Sequence, residues 1–229
     1  MKPADGKRIR ISKNGPYLVT GGVPLTQQTI VADENGESTS WLEGTALPDR
    51  ESCGLCRCGK SGRKPFCDGS HSDVTFDGTE TASRVPYAGR SVPIDGPTLV
   101  LHDAPDLCIE ARFCHRAGGA WNLVSEPCDD AVATVVDEIA KCPSGRYVVE
   151  DKSTGDIIEP CFEPAIAFVQ DPPMNCSGPI WVRGGIEIES SDGDVYEVRN
   201  RVTLCRCGES KNKPFCDGSH AECGFRDGL

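Results

Sequence analysis

"LCRCGKSGRKPFCDGSH" (Leu55 to His71) recurs near the far end of the chain as "LCRCGESKNKPFCDGSH" (Leu204 to His220). From first Cys to His, 13 of 16 residues are identical, and the three cysteines and the histidine keep their places. The candidate ligands are Cys56, Cys58, Cys67 and His71 in one copy, and Cys205, Cys207, Cys216 and His220 in the other. Two cysteines at i and i+2 on extended backbone point to one side. A Cys and a His at i and i+4 share a face when "CDGSH" opens a helical turn, so four ligands converge. Asp68 is suited to cap that turn, Gly69 admits close backbone approach, and Pro65 stiffens the link between the two ligand pairs.

The repetition extends outward. "NGPYLVTGGVPL" (Asn14 to Leu25) reappears as "SGPIWVRGGIEI" (Ser177 to Ile188), and each reads as strand, Gly-Gly turn, strand. "RIRIS" and "AIAFVQ" upstream, and "QTIVAD" and "DVYEVRN" downstream, are further candidate strands. The repeated unit is therefore a small β-sheet followed by a Cys-rich loop. In the first copy the extra residues fall in "ENGESTSWLEGTALPDRES", a polar, Gly-containing stretch read as a loop. Between the copies, "TLVLH" reads as a strand, "APDLCIEARFC" as the start of a helix and "AWNLV" as a second short strand. "CDDAVATVVDEIAKCPSG" is the clearest helix: Val132, Val135, Val136 and Ile139 recur at spacings of three and four. Asp129 and Asp130 sit at its N-terminal end and Pro143 stops it.

A chain of 229 residues buries a real core without help from disulfides. Its net charge of −11 argues against nucleic acid or an anionic membrane surface as a partner. The start has no signal-peptide core, and no segment approaches the roughly 20 apolar residues that span a bilayer, so a cytoplasmic protein is expected. Fourteen cysteines in a reducing compartment point to metal or redox chemistry rather than a disulfide framework. There is no G-x-S-x-G and no G-x4-GK, and the expectation is a carrier, not an enzyme. The acidic "EIESSDGDVYE" lacks the length and terminal Glu of an EF-hand loop and reads as a polar hairpin turn. Cys53, Cys161, Cys176 and Cys223 lie outside any ligand pattern.

Zinc takes Cys3His readily, but its usual pair is C-x2-4-C, looser than the C-x-C here. An iron-sulfur cluster also suits thiolates, and His replaces Cys on one iron in some such centres. The run C-x-C-x2-S-x3-P-x-C-D-G-S-H, matched in both copies, resembles the signature of the CDGSH (NEET) iron-sulfur proteins. The resemblance implies a 2Fe-2S cluster held by three Cys and one exposed His, on a β-cap fold that normally pairs two protomers. Carried over by position, Cys56 and Cys58 bind one iron and Cys67 and His71 the other; Cys205, Cys207, Cys216 and His220 repeat this. The two copies would then form the pair within one monomeric chain.

In the middle, Cys108 and Cys114 stand six apart and Cys142 precedes a proline. A bacterial ferredoxin has C-x2-C-x2-C and a distant C-P; here the central position is Ala111, so one ligand is missing. The stretch from about Thr98 to Glu150 resembles the divergent single-cluster ferredoxin-like domain found beside CDGSH motifs. Two options stand: a 3Fe-4S cluster on Cys108, Cys114 and Cys142, or a 4Fe-4S cluster completed by Cys128 or His115. The alternative is that these are buried, packed thiols.

The expected architecture is mostly β with a small α+β insert. Two pseudo-symmetric β-cap lobes (1–95 and 161–229) pair within the chain around a ferredoxin-like unit (96–160). The expected function is electron transfer or cluster transfer, with a redox partner protein or an apo iron-sulfur acceptor. The rival is a zinc-stabilised interaction protein.

Overall fold

The computed structural model describes residues 1–229. The first third forms β1 (Arg8–Ile11), β2 (Tyr17–Thr20), β3 (Leu25–Ala32), β4 (Ser38–Ala46) and β5 (Ser52–Leu55). The middle adds α1 (Tyr87–Arg90), β6 (Val92–Asp95), β7 (Leu99–Asp103), α2 (Ala120–Leu123), α3 (Asp129–Lys141), β8 (Tyr147–Asp151) and β9 (Ile157–Ile158). The last part contributes β10 (Ala165–Asp171), β11 (Cys176–Arg183), β12 (Glu187–Glu189), β13 (Arg201–Leu204) and α4 (Ser219–Glu222). The chain is mostly β, as its patterning predicts.

The sheets do not follow the sequence repeat; they interleave it. One sheet runs β12-β1-β2-β5 and another β13-β11-β10-β3-β4. Each combines strands of one copy with strands of the other, through the parallel pairs β1·β12 and β10·β3. The Gly-Gly turns make this possible. Gly21 and Gly22, and likewise Gly184 and Gly185, have φ between 59° and 88°, left-handed backbone that side chains resist. The chain thereby leaves β2 for the opposite sheet instead of folding back as a hairpin, and leaves β11 in the same way.

Both sheets bury one face in a shared core. Ile9, Ile11, Tyr17 and Val19 pack with Ile166, Phe168, Ile180, Val182, Val202 and Leu204. In β1 and β2 buried and more open residues alternate, the pattern of a sheet covered on one side. β11 is buried at seven of its eight positions because its sheet is covered on both faces. On the outer face Ala167, Val169 and Trp181 meet Ile109, Ala111 and Phe113 of the middle segment, and Trp41 of β4 stacks on Trp181 at 4.9 Å.

Several local expectations change. "ENGESTSWLEGTALPDRES" is not a loop: its centre is β4, which pairs with β3 as Trp41 packs between Phe113 and Trp181. "DVYEVRN" forms only a single bridge, Glu189 to Val195, closing the acidic turn; the ladder strand is β13. "QTIVAD" continues β3 instead of starting a new strand. "AWNLV" is the helical turn α2 because Ala120 and Val124 pack beside α3. "APDLCIEARFC" opens no helix; it makes a short 3-10 turn, then a loop with φ of 61° at both Glu110 and Arg112.

The third sheet, β6-β7-β8-β9, is antiparallel, with α3 across it over Leu101, Tyr147 and Val149. β6 pairs with β7, so this sheet begins at Val92, four residues ahead of the boundary expected at 96. α3 matches its predicted span and aims Ala131, Val135 and Ile139 inward.

It also buries Glu138 completely, with Arg116 Nε 3.6 Å away and no hydrogen bond to either carboxylate oxygen. Burial pushes this carboxyl up from 4.5 to about 7, with Asp137 and Glu37 raising it further and Arg116 and Lys141 opposing. The folded chain therefore favours the protonated form. Stability falls as pH rises from about 4.5 through 7, because the unfolded chain releases the proton first. Glu138→Gln is expected to stabilise by about 2 to 3 kcal/mol at pH 8 and by nearly nothing at pH 4. Urea melts giving equal effects at both pH values would contradict this origin.

Candidate metal centres

Each Cys-rich loop is anchored where a core strand ends. β5 delivers Cys56 and β13 delivers Cys205. Opposite them, Leu55 bridges Phe66 and Leu204 bridges Phe215. The Cys56 amide donates to the Pro65 carbonyl and the Cys67 amide to the Gly54 carbonyl, both at 2.8 Å. In the second loop, Cys205 to Pro214 and Cys216 to Thr203 repeat this at 2.9 Å. These ladder bonds set the strand end that carries the C-x-C pair beside the turn that carries the C-x3-H pair in both copies.

Within each pair the donors nearly touch. Cys56 and Cys58 Sγ are 3.8 Å apart, and Cys205 and Cys207 Sγ 3.7 Å. Cys67 Sγ lies 3.3 Å from His71 Nδ1, and Cys216 Sγ 3.2 Å from His220 Nδ1. Asp68 holds the turn as foreseen, its carboxylate accepting from Ser70 N (3.1 Å), Ser70 Oγ (2.6 Å) and Gly62 N (2.8 Å). Asp217 does the same for Ser219 and Lys211.

Amide groups face the sulfurs. Gly208 and Ser210 amides are directed at Cys205, and those of Asp217 and Gly218 at Cys216. Glu209 N donates to Cys207 Sγ at 3.5 Å. Such donors stabilise thiolates. A hydrogen bond from Cys207 lowers Cys205 to about 7, whereas Cys207, hydrogen-bonded to Cys205 and buried, is raised well above the thiol range. Two thiolates this close are stable only against added positive charge. Soft, paired, amide-supported donors of this kind fit an iron-sulfur cluster.

The loops meet back to back. Gly59 (φ +74°) lies against the carbonyl of Cys207, and Gly208 (φ +92°) against the carbonyl of Cys58. Tyr17, from the first copy, donates its hydroxyl to the Cys205 carbonyl at 2.8 Å and the Pro214 carbonyl at 3.1 Å.

Their surroundings differ. Cys67 and His71 are half-buried, whereas Cys216 and His220 are 2% and 4% exposed. The resemblance implies exposed histidines; the second departs from that because it is covered on two sides. Phe225 packs on Cys205 and Cys207, laying the C-terminal tail over the loop, and Glu110 of the middle segment lies against Gly218. Burial lowers the His220 imidazole to about 4; Asp171 and Asp217 oppose that shift, and Arg206 and Arg112 add to it.

Cys108, Cys114 and Cys142 line one crevice with His115, Ser144, Arg146 and Tyr147. Burial, reinforced by Cys142 and Cys108, pushes Cys114 up to about 12. Arg146, gripped by Asp103 at 2.7 and 2.9 Å, faces Cys108. Cys128 is excluded as a further ligand: it is exposed at the start of α3 and Cys142 stands at its end. Thirteen helical residues separate them by about 20 Å. His115 remains at the crevice, edge-on to Trp121 at 5.4 Å. Sequence reasoning missed Ser144, which is buried, with Oγ 3.5 Å from Cys142 Sγ and accepting from Arg146 N. The signal was its place two residues after the cysteine of "CPSG". Cys53 and Cys176 sit among strand residues, while Cys161 and Cys223 are exposed.

Residues 14–72 and 177–221 both match the family described as iron-binding zinc finger CDGSH type. The chain thus carries two segments of the CDGSH iron-binding type. Between the two CDGSH segments, residues 94–152 match a second family, described as a divergent 4Fe-4S mono-cluster. Among curated proteins, a CDGSH iron-sulfur domain-containing protein 2 homolog of Drosophila ananassae is 52% identical over 29 residues. The homolog of Drosophila grimshawi and the CDGSH iron-sulfur domain protein of Drosophila melanogaster are each 48% identical over 29 residues. These matches cover 13% of the chain and 22% of each relative, so the chain spans about a fifth of the length of the curated relatives it matches. No solved structure matches the chain. No helix is long and apolar enough to cross a membrane.

Proposed function

We propose that this CDGSH protein is a cytoplasmic carrier of three iron-sulfur clusters. Two 2Fe-2S clusters would be held by Cys56, Cys58, Cys67 and His71 and by Cys205, Cys207, Cys216 and His220. A third, 3Fe-4S or 4Fe-4S, would be held by Cys108, Cys114 and Cys142. The observation that carries this reading is the doubled arrangement of C-x-C beside C-x3-H, with amides aimed at the sulfurs. When bound, the clusters supply one-electron chemistry. The chain's own residues hold the thiolates, keep water from the second site and leave the first open beside His71.

The two halves act as a pseudo-symmetric pair inside one monomer. The exchange of β3 and β12 and the reciprocal Gly59 and Gly208 contacts support this. The half-open first site is where a redox partner protein or an apo acceptor docks, for electron or cluster transfer.

Anaerobic analysis of the purified chain is expected to give two irons and two sulfides per CDGSH site beyond the middle cluster. Reduction is expected to elicit 2Fe-2S EPR signals. A colourless protein containing zinc and no acid-labile sulfide would replace this reading with that of a zinc-stabilised interaction protein.

A further inference from the structure

Arg57 and Arg206 occupy the same place in the two motifs, between the cysteines of each C-R-C. Both are buried, at 2% and 3% exposure. Each lies over two aromatic rings: Tyr17 and Phe76 for Arg57, Phe168 and Phe225 for Arg206. Each also donates to two carbonyls, Ser12 and Gly78 in one case, Gly178 and Val169 in the other.

Only Arg206 meets a carboxylate. Asp227, its side chain wholly buried, pairs with Arg206 and also accepts from Gln170 (3.0 and 3.2 Å) and Ser177 (2.9 Å). Arg57 makes no ion pair, and its Nε has no partner.

One inserted residue produces the difference. After the motif histidine, Phe76 and Phe225 are both five residues on, and their amides donate to the His71 and His220 carbonyls. The first copy continues Phe76-Asp77-Gly78, the second Phe225-Arg226-Asp227-Gly228. Without the extra residue, Asp77 stays outside and accepts from Thr79 N and Oγ1, at 2.9 and 2.6 Å. With Arg226 inserted, the following carboxylate turns inward onto Arg206.

We propose that Asp227 is a positioning residue that sets the second 2Fe-2S site at a lower potential than the first, giving the pair a direction. This rests on the proposed cluster content. A buried positive charge beside a cluster favours the added electron, and a carboxylate that neutralises it removes that gain. At the first site only the solvent-exposed Asp77 lies within electrostatic range of Arg57, whereas at the second a buried carboxylate pairs with Arg206. Burial of His220 and the change from Lys60 to Glu209 act in the same sense. With both clusters bound, an electron supplied by a reduced one-electron donor protein would move from the second site to the first and leave beside half-exposed His71, the second site being oxidised as the first is reduced.

The test is an EPR-monitored redox titration of the full, cluster-loaded chain. His71→Cys serves as background so that the remaining Cys3His signal belongs to the second site. Asp227→Asn is expected to raise the reduced-to-oxidised ratio of that signal about tenfold at fixed potential, equivalent to about 59 mV for one electron. Asp227→Glu is expected to restore the original value. If Asp227→Asn does not fold, inserting Arg between Phe76 and Asp77 in a His220→Cys background decides: the first site's ratio is expected to fall by a similar factor. An unmoved midpoint in a folded, fully loaded variant overturns the proposal. Absence of iron and sulfide from the unaltered chain instead overturns the reading of the sites.

Discussion

Gly59→Ala is expected to cost about 4 kcal/mol of stability and to lower metal occupancy at both CDGSH sites together. A Cβ at this position enters the space of the Cys207 carbonyl, and the obstacle is backbone of the other loop, which cannot rotate away. The φ of +74° adds the left-handed penalty of about 1 kcal/mol. Gly208→Ala meets the Cys58 carbonyl at 2.7 Å and is expected to act in the same way from the opposite side. Gly69→Ala isolates the effect, because Gly69 has φ +97° but nothing within 4 Å of an added Cβ. It is expected to cost only about 1 kcal/mol in chemical denaturation. Equal losses at 59 and 69 would mean that backbone strain, not contact between the loops, carries the cost.

Arg201→Met is expected to destabilise by about 3 to 5 kcal/mol and to loosen the middle site from the second half. Arg201, on β13, is 1% exposed and donates to the carbonyls of Ile139 and Cys142, the latter at 2.8 Å. It also pairs with Glu159 at 2.9 Å. Its positive charge thus sits at the C-terminal end of α3, where the helix dipole favours a cation. Removing it takes the side-chain donor from the Cys142 carbonyl and leaves Glu159, only 20% exposed, without its cation. Arg201→Lys is expected to recover less than half of the loss, because a single ammonium cannot fork to both carbonyls and the carboxylate. Paired replacement of Arg201 and Glu159 by methionine tests the source: if it is as unstable as Arg201→Met alone, an unpaired Glu159 is not the cause.

Both predictions concern contacts between segments far apart in sequence, and this is where reading the chain alone reached its limit. α3 was legible because its apolar spacing, acidic start and proline stop act within one helix. β4 was not: "STSWLEGTA" has few buried positions, and it becomes a strand because Trp41 fits between Phe113 and Trp181. "AWNLV" has strand-like composition, yet its apolar residues serve contacts with α3. The apolar run of β11 was visible, but not that two different layers cover it. Cys128 looked equivalent to other cysteines until α3 placed it at the wrong end.

The sequence by itself determined where the candidate ligands of the two CDGSH segments stand and the turns that present them. Approach of the i, i+2 cysteines to each other, and of the i, i+4 Cys and His, is local geometry, fixed by Asp68, Asp217 and the flanking strands wherever the loops lie. Only the tertiary structure decided that the halves exchange strands, that His220 is buried while His71 stays half-open, and that Asp227 reaches Arg206 while Asp77 faces water. Those outcomes depend on which distant segment covers each loop, and burial and charge compensation are properties of that covering rather than of the motif.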